Sequence, residues 1–211
     1  MAASETAICN QALGLLGEAR ISAIDANEPA ARACNIQFAP SRDFLLRRYD
    51  WAFARTRQEI AADSETPIGD EYEYQYSIPA GGALPKALVL RRIIGYKNLR
   101  KRDVTREGQK WLINIAGPLK IVYTYQEIDP MKFDPGFEQA LTYYIAHRVA
   151  LPLGKDFQVG AQYLALFEQA FRVAAGLDAE QDPPEPGENP WTETGRGEAY
   201  NEIPVPREIV S

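Results

Sequence analysis

The sequence predicts an α+β fold: a four-helix layer, two N-terminal and two C-terminal helices, with an inserted antiparallel β-meander and an extended C-terminal tail. Three observations predict it. Apolar residues recur at helical spacing before Arg48 and again after Asp134. Between Arg55 and Gln126 the pattern changes to short alternating runs separated by Gly or Pro. After Asp182 the composition turns to Pro and Gly, and the chain cannot build a core there.

Each element has a local signal. Ser4 is a candidate cap for a first helix, with Glu5 near its positive end. Ile8, Ala12, Leu15 and Leu16 form its apolar stripe, and Gly17 closes it. Asn27 is the candidate cap of a second helix, with Glu28 and Pro29 in its first turn and a kink expected at Pro40. "YEYQYSI" alternates, so Tyr72, Tyr74 and Tyr76 face one side of a strand and Glu73, Gln75 and Ser77 the solvated other. Further strands follow in "ALVLRRIIGY", "NLRKRDV", "QKWLINI" and "LKIVYTYQ", with a turn at "REG". Asp134 and Pro135 then open a helix with the stripe Phe137, Leu141, Tyr144 and Ile145, which Pro152 and Gly154 end. Asp156 starts the last helix, whose stripe includes Tyr163, Phe167, Phe171 and Ala174. Helices are thus expected over about 4–17, 28–48, 135–151 and 157–178, and strands between 56 and 126. Residues 1–182 make one domain and residues 183–211 a Pro/Gly-rich C-terminal arm.

"RRYDWAFART", residues 47–56, marks the handover from helices to strands. Trp51 and Phe53 are expected to form a buried joint there, because two large aromatics fix the angle between two layers. Burial of Trp51 contributes roughly 3 kcal/mol or more.

Composition excludes several classes. A hydrophobic content of 45% and a charged content of 25% are ordinary for a globular protein. The net charge of −6 argues against general nucleic-acid affinity. Apolar stretches fall short of the roughly 20 residues of a membrane span, so no membrane partner is expected. "MAASETAICNQ" has neither a basic patch nor an apolar core, so no signal peptide is expected. Cys9 and Cys34, too few for a disulfide scaffold, fit core packing in a reducing compartment.

Chemistry is sparse. His147, the only histidine, reads as a half-buried helical residue rather than a general base. Two cysteines and one histidine do not have zinc-site spacing, and "PAGGALP" lacks both phosphate-loop patterns. Glu71 and Glu73 fall on a solvated strand face, and no serine sits in a GxSxG turn. Neither an enzyme nor a cofactor is expected.

One charge feature stands apart. Residues 86–110 carry +7, including Arg91, Arg92, Lys97, Arg100, Lys101, Arg102 and Arg106, while the rest of the chain carries −13. Such a segment either faces an acidic neighbour or a polyanion such as DNA, or protects a sheet edge from aggregation. The C-terminal arm, despite its prolines, holds Trp191, Ile203, Val205, Ile209 and Val210, which suits a segment that orders on a partner.

Five motifs in order resemble those of the tail tubular protein A family, the head-to-tail adaptors of tailed bacteriophages. "ICNQALGLLGEARISAID" matches its Leu-Gly helix end and Ile-Ser turn at Leu16, Gly17, Ile21 and Ser22. The Trp-x-Phe-Ala element falls on Trp51, Phe53 and Ala54, with Arg57 after it. "YQYSIPAGGALPKALVLRRI" resembles a Tyr-x-Leu-Pro-Ala stretch, with Ile78 in place of Leu. A longer segment matches at Tyr123, Asp129, Pro130, Phe133, Asp134, Phe137, Ala140 and Leu141. The resemblance covers about residues 5 to 182 and leaves the arm unmatched. It implies a structural virion protein, assembled in the host cytoplasm, that forms a ring of twelve copies beneath the portal. That ring extends the channel for double-stranded DNA, without binding it specifically, and offers a platform to the tail or nozzle. A head-completion or stopper protein at another level of the connector, a sequence-independent DNA-binding module and a hydrolase using His147 are the alternative expectations.

Overall fold

A computed structural model describes residues 4–69, 71–96 and 103–181. Four helices and six strands make an α+β domain in the order α1 (Glu5–Leu15), α2 (Pro29–Arg48), β1 (Arg55–Ile60), β2 (Tyr74–Ser77), β3 (Ala87–Ile93), β4 (Thr105–Glu107), β5 (Lys110–Ile113), β6 (Leu119–Tyr125), α3 (Pro135–Ala150) and α4 (Phe157–Gln181).

Helix ends follow local chemistry. The Ser4 hydroxyl accepts from the Ala7 N–H at 3.1 Å and caps α1. At its other end Glu18 and Gly17 N–H groups donate to the Leu13 and Gly14 carbonyls, a closure that needs Gly17 at φ +69°. Asn10 then pins the following turn, exchanging two hydrogen bonds with the Ile21 backbone at 2.8 and 3.0 Å. The start of α2 departs from expectation: its cap residue is Glu28, and Asn27 instead accepts from Arg32 at 2.7 Å. Pro29 at the first helical position lacks an N–H and presets φ, so no side-chain cap is required. The helix runs on through Pro40 to Arg48. Asp134 caps α3 through the Gly136 N–H at 2.8 Å, as the sequence predicts.

The helices form one layer. α3 and α4 pack antiparallel, since the start of α3 meets the end of α4 at Gly136 and Ala174, while His147 meets Gly160. Gly136 is there for space. A Cβ on it would lie 2.8 Å from the Ala174 Cβ and 3.2 Å from the Ala174 Cα. Gly136→Ala is therefore expected to cost about 1–3 kcal/mol, because α4's own backbone must move aside. Urea denaturation measures this, and adding Ala174→Gly should recover part of the loss. An unchanged midpoint in the single variant would show that α4 shifts freely.

Strands pair antiparallel throughout, in two sheets of three: β1-β6-β3 and β2-β5-β4. Among the described strands, β4 and β5 alone join as a tight hairpin, with Gly108 at φ +55° in its loop. β6 takes the centre of its sheet because both of its faces are buried, from Leu119 to Thr124 with only Lys120 exposed. The two sheets enclose a second core of Ile60, Tyr76, Ile78, Trp111, Ile113, Ile121 and Tyr123. On β2, Tyr74 and Tyr76 turn toward that core and Glu73 and Ser77 toward solvent. Gln75 does not follow them. It is 6% exposed, in a region where the chain after β1 lies over β2 and the Asp63 N–H donates to its carbonyl.

β3 separates the two cores, and its register shifts twice, between Ala87 and Val89 and between Leu90 and Arg92. The extra residues of these bulges are Leu88 and Arg91. Leu88 enters the helical core, whereas its neighbour Ala87 belongs to the sheet core. A bulge re-aims a side chain that strict alternation would send elsewhere.

Candidate functional site

The junction from α2 to β1 gathers the residues on which the resemblance rests. After Arg48 the chain leaves the helix at Tyr49, passes a short 3₁₀ turn at Ala52–Ala54 and enters β1 at Arg55. Trp51 is fully buried. Its ring meets Phe137 edge-on at 5.2 Å and Phe171 at 5.8 Å, so the one side chain touches both α3 and α4. Its indole N–H donates to the Leu45 carbonyl at 3.0 Å. Phe53 continues the cluster toward Phe133 at 5.9 Å and Phe137 at 5.1 Å. Trp51 is thus buried and Phe53 half-buried at the α2–β1 junction, and the rings they meet lie on or beside the helices.

Polar groups lock the same boundary. Asp178, 4% exposed, accepts the Ala52 N–H on both oxygens, at 3.1 and 3.2 Å. Burial raises its carboxyl above the ordinary range, and the Ala52 N–H opposes the shift. The Tyr125 hydroxyl lies 2.9 Å from the Glu127 carboxylate and 3.2 Å from the Phe53 carbonyl. Burial and then Glu127 push that phenol up to about 12. Burial alone would raise Glu127 itself, but the Asp129 N–H, Lys132 and Tyr125 together hold it below its ordinary value. Asp129 caps the short turn at Pro130–Lys132 by accepting from the Met131 N–H at 3.0 Å.

Arginines hold further contacts around the junction, with Arg47 and Arg48 exposed on α2. Arg48 grips Glu168 of α4 with two bonds, at 2.6 and 2.8 Å, and lies 4.4 Å over the Phe171 ring. Arg91, projected by its bulge, donates to Thr124 Oγ1 at 2.6 Å, to the Leu46 carbonyl at 3.2 Å and to the Tyr49 carbonyl. It also pairs with Asp50 at 3.5 Å. These carbonyls end α2 and have no partner within that helix, so a strand residue satisfies them. Burial lowers the Arg91 guanidinium and Asp50 counters the shift, yet an arginine remains charged.

Arg91 therefore leaves the candidate basic segment. Arg92 is half-buried on β3, and Arg106 is exposed on β4, which belongs to the other sheet. Lys110 turns to Asp63 and Glu65, 3.6 Å from each. Lys97, Arg100, Lys101 and Arg102 lie outside the described residues, as do the arm residues Trp191, Ile203, Val205, Ile209 and Val210.

His147 is half-buried on α3, its Nδ1 2.8 Å from the Gly160 carbonyl. Cys9 and Cys34 are fully buried free thiols, and hydrogen bonding to Cys34 together with burial holds the Cys9 thiol far above its ordinary value. A cleft of about 590 Å³ opens between α1 and α3, lined by Gln11, Gly14, Leu15, Pro135, Glu138 and Thr142. A 3.2 Å hydrogen bond from Gln11 to Glu138 joins its walls. Among the described residues, no three His, Cys, Asp or Glu side chains are grouped to hold a metal ion. No described helix is long and apolar enough to cross a membrane.

Periodicity did not mark Asp178, and the sequence placed Arg91 in the basic segment rather than at this junction. Asp178 had a faint signal, because it falls four residues beyond Ala174 in the buried phase of α4, where a carboxylate must find a partner. Arg91 had none. The class these features define is an α+β domain whose α2–β1 junction is anchored in the helical layer by an aromatic cluster. Neither a protein-family model nor a curated protein matches the chain.

Proposed function

We propose that the chain is a structural virion protein, a head-to-tail adaptor similar to the tail tubular protein A family. It forms a ring of twelve copies below the portal, extends the DNA channel and carries the tail. One observation supports this reading above the others. Motif residues spread from Trp51 to Phe137 converge on a single joint, in which Trp51, Phe53, Phe133 and Phe137 touch in series. Asp129 and Asp134 of the same motif are the two caps that lead into it. Motifs that recur for a packing reason fit a scaffold whose geometry is its function.

A closed ring needs two different complementary faces on each subunit, with interfaces on the order of 1,600 Å². The acidic balance of the chain suits a channel that passes DNA without gripping it, since each neutralised phosphate adds salt-dependent affinity.

Light scattering of the purified chain, alone and mixed with a portal ring from the same virus, tests the proposal. The expected result is one large complex of defined mass. A chain that keeps its own mass in the mixture overturns the adaptor reading, and salt-sensitive binding to duplex DNA in that case would favour the DNA-binding module.

A further inference from the structure

α4 has two apolar sides. Phe167, Phe171 and Ala174 face the helical core, whereas Leu166, Val173 and Leu177 lie on one flank, about 100° round the helix, and are 41%, 58% and 53% exposed. Their spacing of seven and four residues makes one stripe along the helix, about 16 Å long at 1.5 Å per residue. No other described element covers it. The helix ends at Gln181, and 30 further residues follow directly from that end.

We propose that this stripe is the docking site of the chain's own C-terminal arm, with Ile203, Val205 and Ile209 seated on Leu177, Val173 and Leu166. The spacings agree. Residues two apart in an extended, proline-punctuated segment are separated by about 6 Å, the same distance as residues four apart on a helix. Ile203 to Ile209 spans about 19 Å in that conformation, close to the length of the stripe. Pro204 and Pro206 donate no N–H, so the segment can lie on a helix without leaving those two groups unpaired.

Chain length agrees as well. Twenty-one residues separate Gln181 from Ile203, which gives a typical reach of about 25 Å. Val173 lies only about 12 Å back along the helix from Gln181. Gly187, Gly195 and Gly197 provide places for the return. A tether of this length holds the arm near the stripe at an effective concentration in the millimolar range, far above that of a second copy in dilute solution. The inference does not depend on the ring reading. If both hold, the arm is stored on α4 until a partner takes it.

Hydrogen exchange of the full chain tests the docking, read on a peptide spanning residues 200–211. The arm amides should exchange at least about tenfold faster in Leu166→Glu/Val173→Glu/Leu177→Glu than in the wild type, with helical circular dichroism unchanged. Should the triple variant misfold, Val173→Glu alone should show the same change in smaller measure. Equal exchange in wild type and variant overturns the proposal. Protection that grows with protein concentration overturns it too, because the occupant is then the arm of a second copy.

Discussion

Trp51→Ala is expected to cost about 3–5 kcal/mol, the range for deleting a fully buried large aromatic. Against a typical total of about 5–15 kcal/mol, that places the variant near the edge of folding. The loss has two sources. The indole bridges Phe137 on α3 and Phe171 on α4, so its removal leaves a void among the helices at the α2–β1 junction. It also leaves the Leu45 carbonyl without its donor. Trp51→Phe should restore most of the ring contacts but not the hydrogen bond, and should recover roughly half of the loss. Urea denaturation at low temperature separates the three proteins by midpoint. A Trp51→Ala variant within about 1 kcal/mol of wild type would mean that the joint does not hold the layers together.

Arg91→Met is expected to cost about 2–3 kcal/mol, because the apolar stem remains while the charge-assisted bonds are lost. The Leu46 and Tyr49 carbonyls lose Arg91 as a donor, and Asp50 loses one of its ion-pair partners while keeping Arg55. Arg91→Lys should fall between, since one ammonium cannot reach Thr124 and the α2 carbonyls together. Arg106→Met, on an exposed edge of the other sheet, should change stability by about 0.5 kcal/mol or less. The contrast decides the matter. Equal effects at the two positions would return Arg91 to the surface segment with the other arginines.

These two residues mark the boundary between what was legible in the chain and what was not. The helices could be read because their signals are local: Ser4, Asp134 and Pro135 at the starts, Gly17 and Gly154 at the ends, and apolar residues at helical spacing between them. Trp51 could be read too, because a large aromatic after a charged helix end has few places to go but inward. Four helices, antiparallel strands and the position of the joint followed from such short-range chemistry alone.

Tertiary structure decided the rest. Whether six strands form one meander or two sheets depends on pairings such as Arg55 with Thr124, far apart along the chain and invisible to periodicity. Leu88 and Arg91 face the helices only because β3 bulges against β6 at those points, and a bulge is a property of the pair rather than of either strand. Arg91 sat in a run of positive charge and read as surface. The three-dimensional fold turned it inward, because the carbonyls that end α2 needed a donor and the bulge put one within reach.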